Sequence, residues 1–136
     1  MNILIIGGTY FLGKTFVECA CKEHEVTLFN RGNRSLVIDG IKCYTGDRHD
    51  RAMLEQIEDE YDVIVDFCAY EEGDIRLVAE CLRDRFRQYV FISTCDVYRK
   101  GTGEILTEDS PLEERLFSGQ EGAYIAGKVA LERELI

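Results

Sequence analysis

The residues best placed for chemistry come at the start of the chain. An apolar run, Asn2 to Ile6, leads into Gly7, Gly8, Thr9, Tyr10, Phe11, Leu12 and Gly13, and from there into a helical pattern. A helix start presents N–H groups with no partner inside the helix and about half a positive charge. A diphosphate can rest there only if the turn backbone comes close, which glycine permits. Gly7 suits a tight turn, and Gly13 lets helix and strand approach. The whole turn, Gly7 to Gly13, is therefore the candidate cradle for a dinucleotide; a strand–helix turn without a ligand would carry the same glycines. Asn30 and Arg31 stand 17 and 18 residues beyond Gly13, at the end of a second apolar run. An acid at that place would accept hydrogen bonds from the adenosine ribose of NAD. Asn30 lacks the charge that repels a 2′-phosphate, and Arg31 can pair with one. NADP is thus favoured over NAD, with Arg31 as a solvated loop residue the plainer alternative.

Other chemistries find less support. Six cysteines are present (Cys19, Cys21, Cys43, Cys68, Cys81 and Cys95), none in a C-x-x-C pair, and His24 and His49 are the only histidines, so zinc spacing is absent. Cys43, Cys68 and Cys81 fall in apolar runs or on an apolar helix face and read as small core side chains. The net charge of −10 sets the chain against nucleic acid, whose binding rests on phosphate neutralisation. The one dense basic run, Arg83, Arg85 and Arg87, is interleaved with Asp84 and reads as a solvated helix face. No apolar run is long enough for a membrane span, and the start lacks a signal-like pattern. Free thiols and no export signal point to a reducing, cytoplasmic setting.

Periodicity supplies the elements that must hold the turn in place. Buried strands are expected at Asn2 to Ile6, Glu25 to Phe29, Ile41 to Thr45, Asp62 to Cys68 and Tyr89 to Ile92. Helices are expected at Phe11 to Lys22, Arg51 to Glu58, Asp74 to Phe86 and Gly122 to Ile136. Residues Arg99 to Gly122 are polar and irregular and hold the single proline, Pro111. Alternation of this kind implies an α/β fold with a doubly wound parallel sheet, right-handed crossovers and order 3-2-1-4-5. Residues 1–136 are read as one NAD(P)-binding Rossmann domain. The pattern ends in a helix where such a domain carries further strands, so the expectation is of a shortened protein or a fragment.

Further motifs follow in order: Gly46-Asp47, Phe67-Cys68-Ala69, Ile92-Ser93-Thr94-Cys95-Asp96-Val97-Tyr98, Thr107-Glu108-Asp109-Ser110-Pro111 and Tyr124-Ile125-Ala126-Gly127-Lys128. With the glycine turn, they resemble the extended short-chain dehydrogenase/reductases, the NAD-dependent epimerase/dehydratase family, over nearly the whole chain. The resemblance implies that Asp47, with Arg48 beside it, meets the adenine, and that Cys68 and Ala69 line the cofactor. It implies a nucleotide-sugar substrate and three catalytic residues, Thr94, Tyr124 and Lys128. In the family the tyrosine exchanges a proton with a substrate hydroxyl while nicotinamide takes or gives hydride. A tyrosine ordinarily ionises near 10; a lysine four residues on, one helical turn away, favours the phenolate. Lys128 would also hold the nicotinamide ribose, and Thr94 would orient the substrate oxygen. Asp96 falls where dehydratase members carry an acid, although a polar loop residue is the favoured reading.

The chain departs from the family in two ways. Tyr10 replaces the middle glycine, and its Cβ is expected to crowd or shift the diphosphate. The turn's form resembles a divergent branch in which the Rossmann core need not do redox chemistry. The alternative function is therefore a redox-inactive relative that binds dinucleotide or RNA as a regulator, the acidic charge arguing against RNA. The second departure is length: the part that grips sugar in the family is absent, so this chain alone is expected to be weak or inactive on sugar. Helices 74–86 and 122–136 are where family members dimerise, which implies a homodimer unless those apolar faces meet the sheet.

Overall fold

The computed structural model describes residues 1–33, 38–101, 103 and 105–135. Five strands, β1 (Asn2–Ile6), β2 (Glu25–Asn30), β3 (Lys42–Thr45), β4 (Tyr61–Asp66) and β5 (Phe86–Phe91), form one sheet in the order β3-β2-β1-β4-β5. Every pairing is parallel. This is the expected doubly wound Rossmann fold. The helices are α1 (Phe11–Ala20), α2 (Arg51–Leu54), α3 (Asp74–Cys81) and α4 (Gly119–Leu135), with a 3-10 turn at Cys95–Val97. No helix among the described residues is long and apolar enough to cross a membrane.

The chain divides into two compact units, Met1–Cys68 with Arg76–Ile92, and Ala69–Ile75 with Ser93–Ile136. In the first, β1 is central and its Leu4, Ile5 and Ile6 are fully buried. Alternation sends Leu4 and Ile6 to one face, with Phe29, Ile64, Leu54, Ile57, Val78 and Leu82. Ile3 and Ile5 face the other side with Val26, Leu28, Val65 and the α1 residues Val17 and Ala20. A strand covered on both faces must be apolar where it is covered, and Ile3 to Ile6 meet that demand while Asn2 lies exposed at its start. At the N-terminal end of the sheet, Asp59 accepts from Lys42, from the Tyr44 hydroxyl at 3.3 Å and from the Tyr61 hydroxyl at 3.4 Å. That cluster ties the edge strand β3 to the start of β4.

Several sequence expectations are corrected, among them the helix expected over Arg51 to Glu58, which stops at Leu54. The helix expected over Asp74 to Phe86 stops at Cys81, and Phe86 opens β5 opposite Tyr61. Asp84 takes a left-handed φ of +68°, which a short polar side chain tolerates and which ends the helix. Phe86 fitted the helical period, four residues after Leu82, and the exposed, polar Arg87 and Gln88 that follow it hid the start of the strand. The basic run therefore borders a turn and an edge strand: Arg83 and Arg87 are exposed, and Arg85 donates to the Ile57 carbonyl. Cys43 is exposed rather than buried, because it lies on an edge strand paired only with β2; Cys68 and Cys81 are partly buried against the core.

Candidate functional site

In the first unit the candidate residues gather where four strands end: Gly7 after β1, Asn30 closing β2, Gly46-Asp47 after β3 and Asp66 closing β4. That edge is where open parallel sheets bind ligands. Gly7 and Gly8 have φ of +90° and +80°, and the Gly7 N–H donates to the Phe29 carbonyl at 2.9 Å. A Cβ on Gly13 would lie 2.8 Å from the Gly8 α-carbon, so helix and turn touch backbone to backbone. Tyr10 is extended, with φ −146°, and 68% exposed, so its ring is not buried in the turn. Phe11 opens α1 with φ +45° and is 81% exposed. A bulky residue held left-handed costs about 1–2 kcal/mol, a local strain at the head of the helix. Thr9 is half-buried and Leu12 exposed on the same stretch.

On the adenosine side, the Asn30 Oδ1 accepts from the Gly32 N–H at 2.8 Å, which closes the loop after β2. Arg31 is exposed beside it. Asp47 is exposed and accepts from the His49 N–H at 2.9 Å. That bond, helped by the charges of His49 and Arg31, holds its carboxyl below the usual range. Arg48 goes elsewhere: it is buried, and its Nη1 donates to Asp66 Oδ1 at 2.9 Å. Asp66 is fully buried and also accepts from the Tyr89 hydroxyl at 2.6 Å and the Cys68 N–H at 2.9 Å. Sequence reasoning missed Asp66 and Tyr89. The available signal was an acid ending an apolar strand, which must find partners if buried.

In the second unit Tyr124 and Lys128 lie one turn apart on α4. Tyr124 is 38% exposed while Lys128 is 2% exposed. The Lys128 Nζ stands 5.8 Å from the centre of the Tyr124 ring and 4.9 Å from that of Tyr70. Tyr70, another unforeseen neighbour, has its ring 6.2 Å from that of Tyr124. A Cβ on Gly127 would collide with the Tyr70 carbonyl, so the glycine inside the motif is what lets α4 lie against this segment. Ala69, next in the chain to Cys68, is fully buried. Thr94 caps the 3-10 turn, accepting from the Asp96 N–H at 3.3 Å, and its hydroxyl reaches the Asp96 carboxylate at 3.4 Å. Lys100 pairs with Asp96 and holds it below the usual carboxylate range, which makes it a poor proton donor at neutral pH. Cys95 is exposed.

The segment after the turn folds back: Arg99 donates to the Pro111 carbonyl at 2.9 Å and Glu113 to the Val97 carbonyl at 2.7 Å. Glu113 is buried and its carboxylate takes Arg115 Nε at 2.8 Å. The side-chain and backbone N–H groups of Arg115 pull the Glu113 carboxyl from its ordinary 4.5 to about 2. A carboxyl depressed on folding stabilises the fold above its unfolded value and loses that contribution as pH falls toward the folded one. Wild type is therefore expected to be more stable than Glu113→Gln at neutral pH, with the gap closing between pH 4.5 and about 2. Thermal melts across that range check it; a gap that does not change with pH would remove Arg115 as the cause. The nearby cavity, lined by Asp96, Lys100, Glu113 and Arg115 among others, holds about 260 Å³. That is below the roughly 300–1,000 Å³ of ligand pockets, and its two cations already face acids. Among the described residues no group of His, Cys, Asp and Glu stands together as a metal site.

No family model and no curated protein matches this sequence. Solved structures do match its fold. The chain is similar to Pal from Bacillus thuringiensis, with 22% identity and a TM-score of 0.82 over 99% of this chain and 50% of that one. It is similar to the UDP-Glc/GlcNAc 4-epimerase from Campylobacter jejuni, with 20% identity and a TM-score of 0.82 over 98% of this chain and 47% of the other. It is also similar to the dTDP-glucose 4,6-dehydratase from Bacillus anthracis, solved in complex with NAD, with 23% identity and a TM-score of 0.78 over 98% of this chain and 49% of the other. The chain thus spans about half the length of each.

Proposed function

We propose that this chain is the NAD(P)-binding domain of a nucleotide-sugar epimerase/dehydratase-like oxidoreductase of the extended short-chain dehydrogenase/reductase type. The observation that carries this is the turn after β1: left-handed Gly7 and Gly8, with the Gly13 α-carbon packed on Gly8. Glycine at these three positions lets the backbone at the head of α1 approach a diphosphate. The likeness of fold to a dehydratase solved with NAD supports the same cofactor class. Asn30 spends its side-chain oxygen on Gly32, and exposed Arg31 adds positive charge to the adenosine side, which favours NADP over NAD.

For the chemistry, bound nicotinamide would supply and accept hydride. Tyr124 would move the substrate proton, buried Lys128 would favour its phenolate and hold ribose, and Thr94 would orient the reacting oxygen. The closeness of Lys128 to the Tyr124 ring supports this division of roles. A second reading, a relative that holds dinucleotide without turnover, is favoured by the engagement of the Thr94 hydroxyl with Asp96. Calorimetric titration with NADPH, NADP, NADH and NAD tests the cofactor. Binding is expected, tighter for the phosphorylated pair, and Tyr124→Phe should keep that affinity within about twofold, since the hydroxyl serves proton transfer. Absence of heat with all four at millimolar concentration would sink the proposal.

A further inference from the structure

Arg48 follows Asp47, the acid assigned above to the adenine side, yet its guanidinium is buried and turned toward β4. There it meets both Asp66 oxygens, each at 2.9 Å, and stands 3.6 Å from the Cys68 sulfur. Asp66 in turn fixes the Cys68 backbone, and Tyr89 closes the set from β5. The Cys68 side chain is the wall of the glycine turn: a Cβ on Gly7 would lie 3.3 Å from its sulfur. One chain of contacts therefore runs from the loop after β3 to the turn after β1.

A buried ion pair is a weak source of stability, because desolvation offsets its attraction, and apolar side chains of the same volume often do as well. What it supplies is fixed geometry through directional, charge-assisted bonds. We infer that Arg48, acting through Asp66 and Cys68, is a positioning residue that sets the spacing between the adenine-side loop and the diphosphate turn. This rests on the dinucleotide reading above. Its consequence is specific. The two half-sites each keep their own contacts when the link is cut, but a ligand spanning both loses the benefit of their alignment.

The test compares three probes on the full chain by NMR titration: adenosine, inorganic pyrophosphate and ADP-ribose. In Arg48→Met, ADP-ribose affinity is expected to fall about tenfold or more while adenosine and pyrophosphate each change less than about threefold. Tyr89→Phe leaves the ion pair in place and removes one hydroxyl; it should move ADP-ribose in the same direction by a smaller factor, and serves if Arg48→Met does not fold. Arg48→Lys, which keeps the charge but not the fork, should fall between wild type and Arg48→Met. Equal weakening of adenosine and ADP-ribose, or no change in any probe, overturns the inference while leaving the cofactor reading intact. Failure of wild type to bind ADP-ribose at all overturns both.

Discussion

Leucine in place of Asp66 is expected to destabilise the sheet unit by about 3–5 kcal/mol. The side chain is fully buried and accepts from Arg48, Tyr89 and the Cys68 N–H. Removing it leaves a guanidinium, only 8% exposed, without its carboxylate in an apolar surround. It also leaves the Tyr89 hydroxyl without its acceptor. Burial, with the Asp66 charge beside it, pushes that phenol well above its ordinary 10, so it stays a donor throughout the working range. Against a total stability of about 5–15 kcal/mol the loss is large, and the melting temperature should drop by about 10 °C or more. The double variant Arg48→Met with Asp66→Leu is expected to recover most of it, because an apolar pair fills the volume and no charge is stranded. The remaining deficit, about 1–3 kcal/mol, is the orphaned Tyr89 hydroxyl, and adding Tyr89→Phe should remove it. Chemical denaturation of the four variants gives the cycle. Additive single-variant effects, or an Asp66→Leu protein within about 1 kcal/mol of wild type, would mean the pair is not what holds this edge.

The same network shows where sequence reading stopped. The alternation of apolar runs and helical faces placed all five strands and their order, because a parallel sheet covered on both faces leaves few ways to thread short crossovers. The glycine turn was legible because its positions serve backbone geometry, which is local. Tyr124 and Lys128 were legible because a four-residue spacing on a helix puts two side chains together whatever else the fold does. Arg48 and Asp66 are 18 residues apart on different elements, and nothing local joins them. Arg48 was placed with Asp47 at the adenine, and Asp66 passed as one residue of the strand expected over Asp62 to Cys68. Tyr70 likewise lies beside Lys128 only because Gly127 lets α4 approach that segment. The error at Phe86 was of another kind: its spacing from Leu82 fits a helix, and the decision belonged to Asp84, whose left-handed backbone ends the helix.

Alanine at Gly13 is expected to weaken dinucleotide binding by about a hundredfold or more. The new Cβ would sit 2.8 Å from the Gly8 α-carbon and 3.2 Å from the Gly8 nitrogen, and both are backbone atoms that cannot rotate aside. Carbon atoms at rest lie about 3.5–4.0 Å apart, so α1 and the turn must separate by most of an ångström. That shift costs about 1–3 kcal/mol in packing. Its larger effect falls on the ligand. N–H groups that hold an anion work at about 2.7–2.9 Å, and a contact stretched to about 3.6 Å no longer counts as a hydrogen bond. Each bond to a charged group contributes about 1.5–3 kcal/mol, so losing one or two gives the hundredfold fall. Gly40→Ala separates this from general backbone strain. Gly40 has a left-handed φ of +85°, a strain that Gly13 lacks, and a Cβ there meets nothing within 4 Å. Gly40→Ala should lower the melting temperature and leave the affinity unchanged, whereas Gly13→Ala should lose affinity at temperatures where it is still folded. Wild-type NADPH affinity in folded Gly13→Ala would show that the diphosphate does not rest on this turn.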